Sequence, residues 1–306
     1  MEQEILNFLI KKVEKYLNVK IINTDIPPQG MDGDVFSLTD ENGNEYIVKY
    51  SKSSMNDALA YNLLADNKTN IPIPKVFCIF GFNENTVLVL EKIKYPLLET
   101  MPADQMNKYI PAMVLSLKKI HQIKSNNAGL LTNNKKINHW KDIILSKFNN
   151  KNPELNWKKI AQRDSLDEEL IRQSVKSIIN KIESCDFINN DYSLLHTDFN
   201  QRNLFVNPNT SDIVSIIDWS DSVFGDPIYD FARVRMYIWH FNLEDKILNE
   251  YYKLLSFDPY QKKLEELYLL SLIIEYLAYY SEELTEFNLG RIKLHQDFLR
   301  LYNWGN

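Results

Sequence analysis

Apolar residues open the chain at helical spacing. Ile5, Leu6, Leu9, Ile10, Val13 and Leu17 share one stripe, which predicts an amphipathic helix over residues 2–17. The period then shortens. Residues 30–50 read as a strand pair around the turn Asp40-Glu41-Asn42-Gly43, with Tyr46-Ile47-Val48-Lys49 in the second strand. Residues 55–66 return to a helical pattern. Pro72 and Pro74 interrupt the chain before a strand at 75–80, and Thr86-Val87-Leu88-Val89-Leu90 is a further strand. Beyond Glu91 the helical period dominates, over 104–121, 166–185, 247–255, 264–284 and 289–302. Residues 122–165 are polar and rich in Asn and Lys, with Trp140, Phe148 and Trp157 spaced among them. Such a stretch is either a surface excursion held by aromatic anchors or a helical insertion carrying part of a binding site. A β-rich first part followed by a mainly helical second part is an α+β arrangement.

One island of strand character interrupts the helical half. Leu194 and Leu195 enter a loop, Leu204-Phe205-Val206 leaves it, and Asn207-Pro208-Asn209 turns the chain. Ile213-Val214-Ser215-Ile216-Ile217 returns and ends at Asp218. The loop holds His196, Asp198 and Asn203 in the order His-x-Asp-x-x-x-x-Asn, and Gly225-Asp226-Pro227 and Asp230 follow Asp218. A hairpin of this kind brings Asn203 and Asp218 close enough to share a cation. Phosphoryl transfer uses such a set: one Asp orients the acceptor hydroxyl, while an Asn and a second Asp hold magnesium.

Composition narrows the partners. The 306 residues are 44% hydrophobic and 25% charged, so a packed core is available. A net charge of −6 argues against nucleic acid and suits a cationic small molecule. The longest apolar stretch, 267–280, is interrupted by Glu275 and is too short to span a bilayer, so no membrane partner is expected. The first residues lack a basic start followed by an apolar core, so no signal peptide is expected. Cys78 and Cys185 form neither a metal spacing nor a disulfide framework, which fits a reducing cytoplasm. A cytoplasmic monomer is the expectation.

The segment from His196 to Asp230 resembles the catalytic and metal-binding loops of the aminoglycoside phosphotransferase family, and the likeness extends over nearly the whole chain. It implies a protein-kinase-like two-lobe fold, with a nucleotide-binding lobe at 1–92 and a catalytic and substrate-binding lobe at 93–306. By the same resemblance Asp198 is the catalytic carboxylate, Asn203 and Asp218 hold Mg2+, and His196 and Asp226 support the loop. Lys49 takes the phosphates of ATP or GTP, oriented by Asp57 from the following helix. Gly30 and Gly33 belong to a loop covering those phosphates, although an ordinary hairpin turn explains that loop equally well from sequence alone. The carbonyl of Glu91 and the N–H of Ile93 are placed at the adenine. Asn200 stands two residues after Asp198, where many protein kinases have a lysine, which favours a small-molecule kinase.

The implied activity moves the γ-phosphoryl group to a hydroxyl of an aminoglycoside antibiotic, conferring resistance. Ile217-Asp218-Trp219-Ser220 and Phe224-Gly225-Asp226 resemble family members that act on hygromycin B, as do Ile71-Pro72-Ile73-Pro74-Lys75-Val76 and Trp140-Lys141-Asp142-Ile143. Asp230 and Glu275 are candidates to meet the ammonium groups of such a small cationic sugar-like substrate. Glu275 lies in an apolar run, so it needs either that ammonium or an internal arginine such as Arg233, Arg235 or Arg291, and internal pairing is favoured. The competing readings are a kinase of another small alcohol (a macrolide, choline or a metabolic sugar) and a binding protein that holds nucleotide or drug without chemistry.

Overall fold

The computed structural model describes residues 3–26, 34–67, 70–132, 139–148, 155–187 and 191–302, apart from the side chains of residues 244 and 245. Gly30 and Gly33 lie outside the described residues. In chain order the elements are α1 (Gln3–Leu17), β1 (Ile21–Asp25), β2 (Asp34–Asp40), β3 (Glu45–Ser51), α2 (Ser54–Asp66), β4 (Val76–Phe82) and β5 (Asn85–Glu91). Two 3-10 segments, Leu98–Thr100 and Ala103–Tyr109, lead into α3 (Ile110–Ile120). Then come β6 (Lys124–Ser125), β7 (Gly129–Leu130), α4 (Trp140–Ser146), α5 (Trp157–Ile160), α6 (Glu168–Ser184), β8 (Tyr192–Leu195), β9 (Leu204–Val206), β10 (Ile213–Ile216) and β11 (Val223–Gly225). The chain closes with α7 (Ile228–His240), α8 (Glu244–Leu255), α9 (Pro259–Tyr280) and α10 (Glu286–Leu301).

The chain divides into two compact units. The first takes residues 1–123, 130–134 and 196–223; the second takes 124–129, 135–195 and 224–306. The first unit is built on an antiparallel sheet of order β1-β2-β3-β5-β4. Its turn between β2 and β3 is held by Asp40, whose Oδ1 accepts from the Asn42 and Asn44 amides at 2.9 and 2.8 Å, while Gly43 supplies a φ of 80°. Alternation then assigns the faces. Tyr46, Val48 and Tyr50 of β3 pack with Phe36, Leu38, Val87 and Val89 against Leu6, Leu9 and Val13 of α1. Lys49 points to the opposite face, toward α2. Burying each such aliphatic side chain contributes about 1.5–3 kcal/mol, so α1 is held by its stripe. The β9–β10 hairpin also belongs to this unit: Ile216 N–H donates to Pro72 O at 2.9 Å and Val206 N–H to Pro96 O at 3.0 Å.

The second unit is mainly helical, with α7, α6 and α10 packed on α9. The aromatic residues of the polar stretch are anchors in its core. Trp140, Phe148 and Trp157 are all buried. Trp140 Nε1 donates to Tyr268 Oη at 2.7 Å, and Phe148 stacks on Trp157 with centroids 5.8 Å apart. Among the described residues, no helix is long and apolar enough to cross a membrane.

Candidate active site

The first unit gathers residues from two distant parts of the chain, one around Lys49 and Asp57 and the other around Asp198 and Asp218. Lys49 sits on β3, Asp57 in the first turn of α2, and His196 to Ser222 in and beyond the β9–β10 hairpin. Lys49 Nζ lies 2.6 Å from Asp57 Oδ2 and 2.9 Å from Asp218 Oδ1. Asp57 is fully buried, and its other oxygen accepts from the Trp219 amide at 2.6 Å. Burial works against charge on Lys49, but Asp57 and Asp218 outweigh it and raise the ammonium above its usual pKa. Burial likewise pushes the Asp57 carboxyl up, with Lys49 opposing. For Asp218 the desolvation is overcome by Lys49, and its pKa falls below the ordinary carboxylate value.

The loop between β8 and β9 is closed on itself by side-chain amides. Asp198 accepts from Asn200 Nδ2 on Oδ1 and from Asn203 Nδ2 on Oδ2, both at 2.8 Å. Asn203 Nδ2 also reaches the Asp198 carbonyl at 2.9 Å, which turns its Oδ1 away from Asp198. The Ile217 amide donates to Asn203 O at 3.0 Å, so the hairpin register sets Asn203 beside the residue preceding Asp218. His196 is buried; its Nε2–H donates to Ile217 O at 3.0 Å, and its ring lies 4.5 Å from that of Trp219. Thr197 and Asp218 both take left-handed backbone, with φ of 63° and 65°. Such a conformation costs roughly 1–2 kcal/mol for a residue with a Cβ. Thr197 is held there by its hydroxyl, which donates to Asp221 O at 2.9 Å.

These positions have a definite chemical capacity. Asn203 Oδ1 and the Asp218 carboxylate are hard oxygen donors, the type that magnesium takes. Among the described residues no three or more His, Cys, Asp or Glu form a metal-ligating group. An ion held by these two residues would take the rest of its ligands from phosphate oxygens and water. The Asp218 side chain is 43% exposed, so one of its faces remains open beyond Lys49.

The remaining expected residues are placed as follows. Glu91 ends β5; its amide donates to Lys75 O at 2.9 Å, and the Lys75 amide donates to Glu91 Oε2 at 3.2 Å. Ile93 follows, half-buried, in the connecting segment. In the second unit, Asp226 lies two residues before α7: its Oδ1 accepts from the Ile228 amide at 2.9 Å and its Oδ2 from Tyr268 Oη at 3.1 Å. Asp230 is fully buried within α7. Glu275 Oε2 is 2.9 Å from Lys147 Nζ, so its internal partner is a lysine of the 122–165 stretch. The same ammonium donates to Tyr229 Oη at 2.9 Å. The partner is thus Lys147 and not Arg233, Arg235 or Arg291; no periodicity links residues 147 and 275. Asn56, which carries no mark in the sequence, donates through Nδ2 to Ser222 O at 2.8 Å and Ser220 O at 2.9 Å.

Known proteins share this architecture. The fold matches the apo crystal structure of a thermostable mutant of aminoglycoside phosphotransferase APH(4)-Ia, with a TM-score of 0.71 and 18% identity over 96% of each chain. A ternary complex of that enzyme with AMP-PNP and hygromycin B matches with a TM-score of 0.70, at 18% identity and again over 96% of each chain. The gentamicin–APH(2")-IIa complex matches with a TM-score of 0.61 and 16% identity, over 99% of this chain and 97% of that one. None of the curated proteins matches the chain in sequence. The fold is thus the kinase-like α+β architecture of the aminoglycoside phosphotransferases. The chain belongs to the Phosphotransferase enzyme family, whose model matches residues 25–266.

Proposed function

We propose that this phosphotransferase moves the γ-phosphoryl group of ATP or GTP to a hydroxyl of an aminoglycoside, with a hygromycin B-like acceptor favoured, and so confers resistance in the cytoplasm as a monomer. Residues 1–92 act as the nucleotide-binding lobe and 93–306 as the catalytic and substrate-binding lobe. The observation that carries this reading is the meeting of Lys49, Asp57 and Asp218, with Asn203 hydrogen-bonded to Asp198 one hairpin away. Asp198 holds the acceptor hydroxyl by a hydrogen bond and takes its proton as the bond to phosphorus forms. Lys49, kept charged by its two carboxylates, contacts the α- and β-phosphates. Asn203 and Asp218 hold Mg2+, which when bound neutralises charge on the phosphate oxygens. The Glu91 carbonyl and Ile93 N–H take the adenine edge, and the Gly30–Gly33 loop covers the phosphates. His196 and Asp226 keep their segments in place.

Glu275 and Asp230 remain the proposed carboxylates for substrate ammonium groups, with Glu275 the stronger because Asp230 is fully enclosed. The test is a coupled ADP or GDP release assay with magnesium and a panel of aminoglycosides including hygromycin B. Turnover with an aminoglycoside supports the reading. Turnover only with a macrolide, choline or a sugar would replace the acceptor. Nucleotide binding without turnover on any acceptor would make the protein a binder.

A further inference from the structure

Two adjacent residues of α2 grip the segment that follows Asp218, with opposite chemistry. Asp57 accepts from the Trp219 amide at 2.6 Å. Asn56 Nδ2 faces four acceptors: Ser222 O at 2.8 Å, Ser220 O at 2.9 Å, Ser222 Oγ at 3.1 Å and Trp219 O at 3.4 Å. Ser222 tightens the same turn, its hydroxyl and amide donating to Trp219 O at 2.6 and 3.0 Å. Asn56 is buried, at 5% exposure, and among the described residues its Oδ1 is buried without a hydrogen-bond partner. Turning the amide over would set Oδ1 against three carbonyl oxygens of the loop, so the donor assignment follows from the surroundings. An orphaned buried oxygen is unfavourable for folding. A residue placed at that disadvantage, with both its N–H donors spent on one loop, has a local task.

We propose that Asn56 is a positioning residue that holds the 219–222 turn, and through it sets the direction of the Asp218 carboxylate toward the metal. The inference rests on the reading of Asp218 as a metal ligand. Asp218 sits in left-handed backbone, which non-glycine residues adopt uncommonly even though aspartate tolerates it better than most, so its geometry depends also on what restrains the residues after it. Asp57 fixes the N–H side of that segment and Asn56 the carbonyl side. Partners that orient a metal ligand, without touching the metal, act on metal affinity more than on substrate binding.

The experiment compares wild type with Asn56→Asp and Ser222→Ala. Asn56→Asp keeps the shape and removes the donors, leaving a carboxylate against backbone carbonyls. The magnesium concentration for half-maximal turnover, with ATP and with GTP, should rise by about 10-fold or more, as for other groups that orient metal ligands. Acceptor KM and nucleotide affinity in EDTA should stay near wild type. Ser222→Ala removes one acceptor of Asn56 and one brace of the turn, and should raise the magnesium requirement in the same direction by a smaller factor. An unchanged magnesium requirement in folded Asn56→Asp overturns the proposal, as does a lower kcat with no change in that requirement. If Asn56→Asp fails to fold, an unchanged requirement in Ser222→Ala overturns it. Wild type that binds nucleotide equally with magnesium and with EDTA would instead remove the metal reading of Asp218 itself, a failure visible before any variant is made.

Discussion

Asn203 Nδ2 donates to Asp198 Oδ2 at 2.8 Å, joining the proposed metal ligand to the proposed base in one hydrogen bond. Asn200 occupies the other carboxylate oxygen at the same distance. Asp198→Asn therefore disturbs two things of different size. One of the two amide donors loses its acceptor, a loss of about 1 kcal/mol of stability. Turnover, if Asp198 takes the acceptor proton, should fall by ~10²–10⁴. Melting temperature, nucleotide affinity and turnover on one preparation check this. Near-normal turnover, or a loss matched by unfolding, would remove Asp198 from the chemistry.

Asp218 combines a chemical role with an unfavourable backbone, and two substitutions separate them. Asp218→Ala and Asp218→Gly should both lose magnesium-dependent turnover. Glycine tolerates φ near 65°, so Asp218→Gly should melt higher than Asp218→Ala, by a stability difference of roughly 1 kcal/mol. Equal melting temperatures would mean that the backbone strain at 218 is relieved elsewhere.

The Lys49 triad sets a pH response. Asp218, lowered, contributes stability present above the unfolded carboxylate pKa and lost as pH falls through its own; Asp57, raised, contributes the opposite trend. Lys49, raised, contributes stability that is present below the unfolded lysine pKa and lost only as pH climbs through its elevated value. Lys49→Met leaves Asp57 buried without its cation, a loss of about 3–5 kcal/mol near neutral pH. The Asp57 pKa should then rise further, so that the variant regains stability as pH falls from neutral toward 5. Denaturant titrations across that range test it, and the double variant Lys49→Met/Asp57→Asn should have lost most of the pH dependence.

Gly225 is required by packing. A Cβ there would stand 2.4 and 2.5 Å from ring carbons of Trp140 and 2.8 Å from Leu195 Cδ1. Trp140 is itself buried and fixed by its bond to Tyr268, so the ring has little room to yield. Gly225→Ala should destabilise the protein by roughly 1–3 kcal/mol, the range for an overpacked core. Calorimetry that finds the variant as stable as wild type would show that Trp140 can move.

The salt dependence of the acceptor KM probes the substrate. A polycationic aminoglycoside drawn by carboxylates should bind more weakly as ionic strength rises, because the attraction is screened. A KM that stays flat from low to high salt would point to an uncharged acceptor.

Local features of this protein were legible in the sequence because they depend on neighbours a few positions away. The stripe of α1, the alternation of β3, the Asp40–Gly43 turn and the β9–β10 hairpin follow from periodicity and turn chemistry alone. The order of His196, Asp198, Asn203 and Asp218 was likewise visible, since one loop and one hairpin carry all four. Tertiary structure alone decided what meets across long separations. Asn56 reaches Ser222, 166 positions away, and Lys147 meets Glu275, 128 positions away. Nothing in either local pattern encodes the partner; the packing of α2 on the sheet and of α4 in the helical unit does. The demand for glycine at 225 also arises only from the ring of Trp140, placed there by the folded chain. A sequence records each side chain's chemistry and its local geometry, while distance between remote side chains is a property of how the cores close around them.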